Sequence, residues 1–192
     1  MIIGIIDCGG ANLNSIYYSF KRLGINTVIS SSKDELNDLD AYVLPGVGSA
    51  NAVMQCLKDN SLIDFIKNIT KPVLGICIGM QIMYEYSEEG DTQCLGIING
   101  KIKKFKSDKS LTVPQMGWNK LVCNDDLKSL NGHYYYANSF YTDSTDSAMG
   151  YTEYGVNYTS LVKKNNFIGC QFHPEKSSAS GEKFLQYFLT TI

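Results

Sequence analysis

The sequence contains only two histidines, no long basic run and no window approaching about 20 apolar residues. The last absence leaves no candidate for a membrane-spanning helix. A formal net charge of -2 without a basic stretch argues against nucleic acid as the main ligand. The apolar start is interrupted by Asp7 and lacks the basic residues of a secretory signal. We therefore expect a cytoplasmic protein that binds neither nucleic acid nor a membrane.

The sequence also lacks any cysteine pair in the C-x-x-C spacing that marks many zinc and redox sites. Its six cysteines are spread widely, so we expect no disulfide framework, no metal site and no cofactor. Most are predicted to be small buried hydrophobic residues in a reducing compartment. They are Cys8, Cys56, Cys77, Cys94, Cys123 and Cys170.

Length and composition fit one globular domain spanning residues 1–192, with 44% hydrophobic and 19% charged residues. The first half alternates strand and helix patterns, which predicts a parallel sheet with right-handed crossovers. Strands are predicted over residues 1–7, 27–30, 41–44 and 72–76, and helices over 13–23, 49–60, 62–69 and 78–86.

The second half changes to short strands separated by turns, which favours antiparallel or mixed sheet added to the parallel core. We therefore predict an α/β fold. The later strands are predicted over residues 101–106, 119–123, 134–141, 148–153, 160–163 and 167–172, and a terminal helix over 181–189.

Two distant segments match the halves of a thiol active site. One reads Gly75-Ile76-Cys77-Ile78-Gly79-Met80-Gln81, and the other reads Gln171-Phe172-His173-Pro174-Glu175-Lys176. A cysteine nucleophile needs a base, and the base needs a group that orients it. We assign these roles to Cys77, His173 and Glu175.

The position of Cys77 between a strand and a helix suits this chemistry. The positive end of the helix stabilises a thiolate, and the flanking glycines permit a tight turn. The amide of Ile78 is placed to bind an oxyanion. A second donor is expected from the loop Gly46-Val47-Gly48, which follows the strand before it.

A structural interpretation competes with this one. A lone G-x-C-x-G pattern is more often a buried structural cysteine, and a histidine before proline can be a satisfied loop residue. The two motifs together, in an α/β chain with no other cysteine motif, favour the Cys-His-Glu triad.

Further motifs extend the pattern along the whole chain, and with them the sequence resembles the class I (triad) glutamine amidotransferases. Within that family it is similar to the glutaminase subunits of imidazole glycerol phosphate synthases. Additional landmarks are Leu44-Pro45-Gly46-Val47-Gly48, Ser87-Glu88-Glu89-Gly90 and Pro114-Gln115-Met116-Gly117-Trp118-Asn119. The Pro-Gly-Val-Gly loop, Met-Gly-Trp-Asn and Lys176 after His-Pro-Glu are much more specific than the triad itself.

The resemblance implies a three-layer, flavodoxin-like fold with a mostly parallel central sheet and added antiparallel strands. It also implies glutamine hydrolysis, in which Cys77 forms a glutamyl thioester and His173, held by Glu175, moves the protons. The oxyanion hole would comprise Val47, Gly48 and Ile78. The glutamine-binding residues would be Gly46, Gln81, Tyr136, Asn138 and Ser139.

The resemblance further implies a heterodimer with a (βα)8-barrel cyclase, which would use the ammonia to make imidazole glycerol phosphate in histidine biosynthesis. Glutaminase activity would stay low until that partner is loaded. Partner-facing positions would be Asn12, Met116, Trp118 and Lys176. Without the resemblance, Trp118 would be interpreted as a core aromatic and Lys176 as a solvated charge.

The chain departs from the family pattern at several positions, and these departures leave open a paralogous glutaminase subunit that supplies ammonia for amidation of a surface-polysaccharide sugar. A third hypothesis is a non-catalytic binding subunit that keeps only the fold, but the presence of Cys77, His173 and Glu175 argues against it. The departures fall at Cys8, Ala11, Asn14, Gln115 and Asn138.

Overall fold

The computed structural model describes residues 1–9, 13–46, 48–107, 111–143 and 145–192. The helices are α1 (Leu13–Arg22), α2 (Ala50–Asp59), α3 (Leu62–Lys67), α4 (Ile78–Gln81) and α5 (Ser178–Leu189), with 3-10 helices at Asp125–Leu130 and Pro174–Lys176. The strands are β1 (Ile2–Ile6), β2 (Asn26–Ser30), β3 (Ala41–Leu44), β4 (Val73–Ile76), β5 (Tyr86–Ser87), β6 (Thr92–Gln93), β7 (Lys101–Lys104), β8 (Gln115–Cys123), β9 (Gly132–Asn138), β10 (Phe140–Tyr141), β11 (Ala148–Tyr154), β12 (Val156–Lys164) and β13 (Phe167–Cys170).

The main sheet has nine strands in the order β2-β1-β3-β4-β13-β12-β11-β8-β9. The five strands from β2 to β13 are parallel, and the remaining four continue the sheet in antiparallel fashion. A smaller sheet has the order β10-β7-β5-β6. This architecture confirms the predicted α/β fold with antiparallel strands added to a parallel core.

Helices cover both faces of the parallel half. Every residue of β3 and of β4 is buried. Because successive side chains of a strand point to opposite faces, both faces of the sheet must be covered. On one face α1 meets α5, where the rings of Phe20 and Phe188 lie 6.5 Å apart edge to face. The result is the predicted three-layer arrangement.

The helix predicted over residues 78–86 was wrong at its end, because α4 stops at Gln81. The amides of Met83 and Tyr84 instead bond the carbonyls of Met80 and Gln81 three residues back, and the next carbonyls accept from a distant loop. The amides of Leu95, Ile97 and Gly96 donate to the carbonyls of Ile82, Met83 and Tyr84, at 2.8 Å each. A loop more than ten residues away therefore captures the acceptors, and the chain turns into β5.

Other boundaries differ by a few residues. The strand predicted over 134–141 is divided into β9 and β10, and Ser139 lies between them. Strands β8 and β12 are longer than predicted, and α5 begins at Ser178 rather than at residue 181. Within the described ranges, no helix is long and apolar enough to cross a membrane.

The crossing of α4 over β3 depends on a glycine. A Cβ atom at Gly79 would lie 2.0 Å from the carbonyl oxygen of Leu44, which is backbone and cannot move aside. We expect Gly79→Ala to lower the free energy of unfolding by about 3 kcal/mol or more. Urea denaturation followed by circular dichroism measures the loss.

Gly132→Ala serves as the matched control, because its Cβ would lie 3.3 Å from the movable hydroxyl of Ser180. We expect this substitution to cost less than about 1 kcal/mol. Equal stability of the two variants would contradict the close approach at Gly79.

Candidate active site

Cys77 occupies the sharp turn between β4 and α4. Its backbone has φ 49° and ψ -107°, a conformation that non-glycine residues rarely adopt. Glycines on both sides permit the turn, because a Cβ at Gly75 would lie 2.6 Å from the carbonyl oxygen of Gly79. The amide of Cys77 donates to the carbonyl of Cys170 at 2.8 Å, which fixes the turn to β13.

His173 follows the end of β13, so the parallel pairing of β4 with β13 brings it to the same edge of the sheet as Cys77. The His173 amide donates to the Tyr135 carbonyl at 2.8 Å. The hydroxyl of Ser177 donates to the His173 carbonyl at 2.6 Å and accepts from the Tyr135 amide at 2.9 Å. These bonds tie the His173 segment to β9.

Glu175 orients the imidazole. Its Oε1 lies 2.8 Å from His173 Nδ1, and both side chains are buried. Since the carboxylate accepts the proton of Nδ1, the other ring nitrogen is available to the sulfur of Cys77. The structure thus brings the three residues of the predicted triad together in the order nucleophile, base and orienting group.

Two opposing effects set the protonation of His173. Burial is the largest single effect and lowers the pKa of the imidazole, but the charges and hydrogen bonds of Cys77 and Glu175, taken together, outweigh it. Together they raise the pKa of His173 to about 10. The imidazole therefore carries a proton at neutral pH, which suits a thiolate–imidazolium pair.

A cavity of about 150 Å³ opens over the sulfur. The loop after β3 approaches Cys77 closely, since a Cβ at Gly46 would lie 2.8 Å from the Cβ of Cys77. Gly48 has φ +90°, which favours glycine. The described residues that line the cavity are Gly46, Gly48, Cys77, Ile78, Gln81, Glu89, Ala137, Asn138, Ser139 and Phe140.

Most residues predicted for the oxyanion hole and for glutamine binding lie at this cavity, but Tyr136 does not. Its side chain is fully buried, and its hydroxyl is 2.6 Å from that of Thr152. We therefore exclude it from the glutamine contacts. The predicted roles of Val47 and Asn12 fall outside the described residues.

Two side chains with no role predicted from the sequence also reach the site. Glu89 lines the cavity, and its carboxylate accepts from the amide of Ala50 at 2.7 Å. Gln171 donates from Nε2 to the sulfur of Cys77 at 3.4 Å. Both belong to landmark motifs, so the motifs contained the signal although spacing alone did not indicate the contacts.

Met116, Trp118 and Lys176 lie on the surface beside the triad. Met116 is 69% exposed and Trp118 is 54% exposed, so Trp118 is not a core aromatic. The Trp118 ring lies 6.4 Å from the ring of Tyr135, and Lys176 Nζ lies 5.9 Å from the same ring. Tyr135 therefore joins this exposed patch to the backbone that holds His173.

Comparison with known proteins agrees with this architecture. The chain matches the family described as "Glutamine amidotransferase class-I" over residues 4–192. It is 43% identical to the "Imidazole glycerol phosphate synthase subunit HisH" of Haemophilus influenzae, over 99% of this chain and 98% of that protein. The protein of the same name from Pasteurella multocida is 40% identical, with the same coverage.

A solved structure described as "Crystal structure of glutamine amidotransferase" has the same fold. It superimposes with a TM-score of 0.79 and covers 100% of this chain and 98% of the other. Its sequence identity is only 16%, so this likeness concerns the fold alone.

The protonation of His173 should depend on Cys77. We expect Cys77→Ala to lower the pKa of His173 by about one unit or more, because the substitution removes the charge and hydrogen bond that oppose burial. A titration of the imidazole signals by NMR measures it. The exposed His133, the second histidine of the chain, serves as the internal reference. An unchanged His173 midpoint would contradict the pairing with Cys77.

Proposed function

The chain belongs to the class I glutamine amidotransferase family, and on that premise we propose that it is the glutaminase subunit of an imidazole glycerol phosphate synthase. It releases ammonia from glutamine for a (βα)8-barrel cyclase, which makes imidazole glycerol phosphate and aminoimidazole carboxamide ribonucleotide. The similarity to the Haemophilus influenzae protein over nearly the full length supports the pathway. The observation that carries the chemistry is the buried arrangement of Cys77, His173 and Glu175.

The reaction runs in two steps through a covalent intermediate. The thiolate of Cys77 attacks the side-chain carbonyl carbon of glutamine, and His173 gives its proton to the leaving nitrogen as the C–N bond breaks. Ammonia leaves and a glutamyl thioester remains. A water molecule then attacks the thioester while His173 takes its proton, and the C–S bond breaks to release glutamate and restore the thiolate.

The oxyanion of each tetrahedral intermediate needs hydrogen-bond donors. The amide of Ile78 is the first of α4, and such amides have no partner within their own helix. The loop with Gly48 supplies the second donor, and we assign Val47 to the same role. Loss of one such donor typically costs about 3 kcal/mol in the transition state.

The cavity wall offers acceptors for the ammonium group of glutamine. Glu89 contributes a carboxylate. Oε1 of Gln81 and Oδ1 of Asn138 are buried, and no described residue hydrogen-bonds either atom. Buried acceptors are costly unless they are bonded, so a bound substrate would satisfy them. Gly46 and Ser139 complete the wall.

We propose that the exposed patch of Met116, Trp118 and Lys176 docks the cyclase. Methionine and tryptophan are enriched where protein interfaces are buried, and tryptophan often contributes much of the binding energy. Asn12 is assigned to the same interface. Because Tyr135 contacts the patch and holds His173, the partner would bind directly behind the catalytic base.

Most described departures from the family pattern do not favour a different partner. Cys8, Gln115 and Asn138 are all buried, and only Asn14 is exposed. The sugar-amidation alternative therefore rests on few surface positions. Deletion of the gene discriminates the two, since a histidine requirement supports the histidine pathway and growth without histidine supports the alternative.

The test of the proposed function is glutamate release by the purified chain mixed with an imidazole glycerol phosphate synthase cyclase. We expect the loaded cyclase to stimulate release. Cys77→Ala should lower glutamine-dependent synthesis by roughly 10³-fold or more, because the nucleophile is lost. Synthesis from added ammonia should survive. Loss of both activities in an intact complex would contradict this division of labour.

The docking patch is tested by two substitutions. We expect Trp118→Ala to weaken binding of the cyclase by about 2 kcal/mol, and Lys176→Ala to weaken it with little change in stability. Isothermal titration calorimetry measures the affinity. Lys67→Ala is the control, since this exposed lysine ends α3, which leads into the start of β4, whereas Cys77 follows its end. Equal affinities for all three variants would rule out the patch.

A further inference from the structure

A chain of side-chain amides leads to the sulfur of Cys77. Gln171 is fully buried, and its Nε2 donates to the sulfur at 3.4 Å. Its Oε1 accepts from Gln81 Nε2 at 2.9 Å. Gln81 Nε2 also donates to the backbone carbonyl of Phe140 at 3.2 Å. The nucleophile is therefore connected to a backbone carbonyl through two glutamines.

The Phe140 carbonyl determines which way both amides point. A side-chain amide can turn its oxygen or its nitrogen to a neighbour, but a carbonyl can only accept. Gln81 must therefore present its nitrogen to Phe140, and the second hydrogen of that nitrogen meets the oxygen of Gln171. As a result, Nε2 of Gln171 points toward the sulfur of Cys77. Asn138 Nδ2 donates to the same carbonyl at 3.0 Å, and this second bond helps to hold the Phe140 carbonyl in place.

From this network we propose that Gln171 is a further catalytic residue, which stabilises the thiolate of Cys77 through its amide N–H. Gln81 is a positioning residue that acts through Gln171, in addition to lining the glutamine cavity. The proposal deepens the proposed function, because it rests on Cys77 as the nucleophile.

The amide of Gln171 distinguishes the two forms of the sulfur. A thiol at Cys77 can donate to the carbonyl of Ala137, which lies 3.9 Å away. A thiolate can only accept hydrogen bonds, so it cannot bond the carbonyl of Ala137 but is stabilised by N–H donors. The donor from Gln171 therefore favours the charged form, while the carbonyl of Ala137 favours the neutral one.

Among the described residues, the other titratable groups around the sulfur comprise one cation, one carboxylate in the cavity wall and two buried neutral groups. His173 supplies a positive charge that favours the thiolate, and Glu175 holds it. Cys170 of β13 and Tyr158 of β12 have pKa values raised well above their usual ranges, first by burial, so both are neutral near pH 7. Glu89 lines the cavity and opposes a negative sulfur. Gln171 is thus an uncharged donor beside one cation.

The experiment is the pH dependence of Cys77 alkylation by iodoacetamide, followed by peptide mass spectrometry, in the full chain. Gln171→Met keeps the length of the side chain but removes the donor. We expect the midpoint of its profile to rise by about one pH unit, which is a tenfold slower reaction below the midpoint. Gln81→Met should shift the midpoint in the same direction, because the amide of Gln171 becomes free to turn.

Gln115→Met is the matched control. Gln115 is also a buried glutamine, but its Oε1 accepts from Tyr158 at 2.9 Å, and it does not bond Gln171 or the sulfur of Cys77. We expect its alkylation profile to match the wild type even if its stability falls. A purely structural role for Gln171 would lower stability in both variants and leave both midpoints in place.

Each outcome decides the proposal. A folded Gln171→Met with the wild-type midpoint overturns it, and if that variant does not fold, an unchanged midpoint in Gln81→Met overturns it. If the alkylation midpoint rises in Gln171→Met but not in Gln81→Met, the donor role of Gln171 stands and only the positioning role of Gln81 is overturned. Failure of the proposed function is distinct, because then the wild type itself releases no glutamate with a loaded cyclase.

Discussion

The close passage of three backbone segments at Cys77 is the constraint on which the site depends. The loop after β3 passes close to the Cβ of Cys77 at Gly46, and α4 passes close to the carbonyl of Leu44 at Gly79. Neither approach leaves room for a side chain, so the strained backbone at Cys77 is enforced by its surroundings. The same passage presents the sulfur and the first amides of α4 to one cavity, as the proposed roles of nucleophile and oxyanion donor require.

The antiparallel half of the sheet holds the His173 segment that the parallel half brings next to Cys77. Parallel pairing brings Cys77 and His173 to the same ends of the strands, but His173 is held by β9, which is the outermost strand. The β8–β9 pair also carries Trp118 opposite Tyr135 in register. Hence the strands added to the core connect an exposed surface to His173 through the single residue Tyr135.

Much of this could be predicted from the sequence where the signal is local. The apolar runs of β1, β3 and β4 and the motifs around Cys77 and His173 indicated the parallel core and the meeting of the two motifs. The end of α4 could not be predicted, because amides from residues 95–97 bond the carbonyls of the three residues that follow it. The burial of Tyr136 and the bond from Gln171 to Cys77, 94 residues apart, likewise depend on how the sheet brings distant segments together.

The attachment of the His173 segment to β9 also has a consequence for self-association. The last strand of an open sheet exposes backbone groups that can pair with a strand of another molecule. Here the amide and the carbonyl of Tyr135 are already bonded to Ser177 and His173. The segment that carries His173 thus occupies the backbone groups of β9 at this point, so the residues that position the proposed base also block pairing with another strand there.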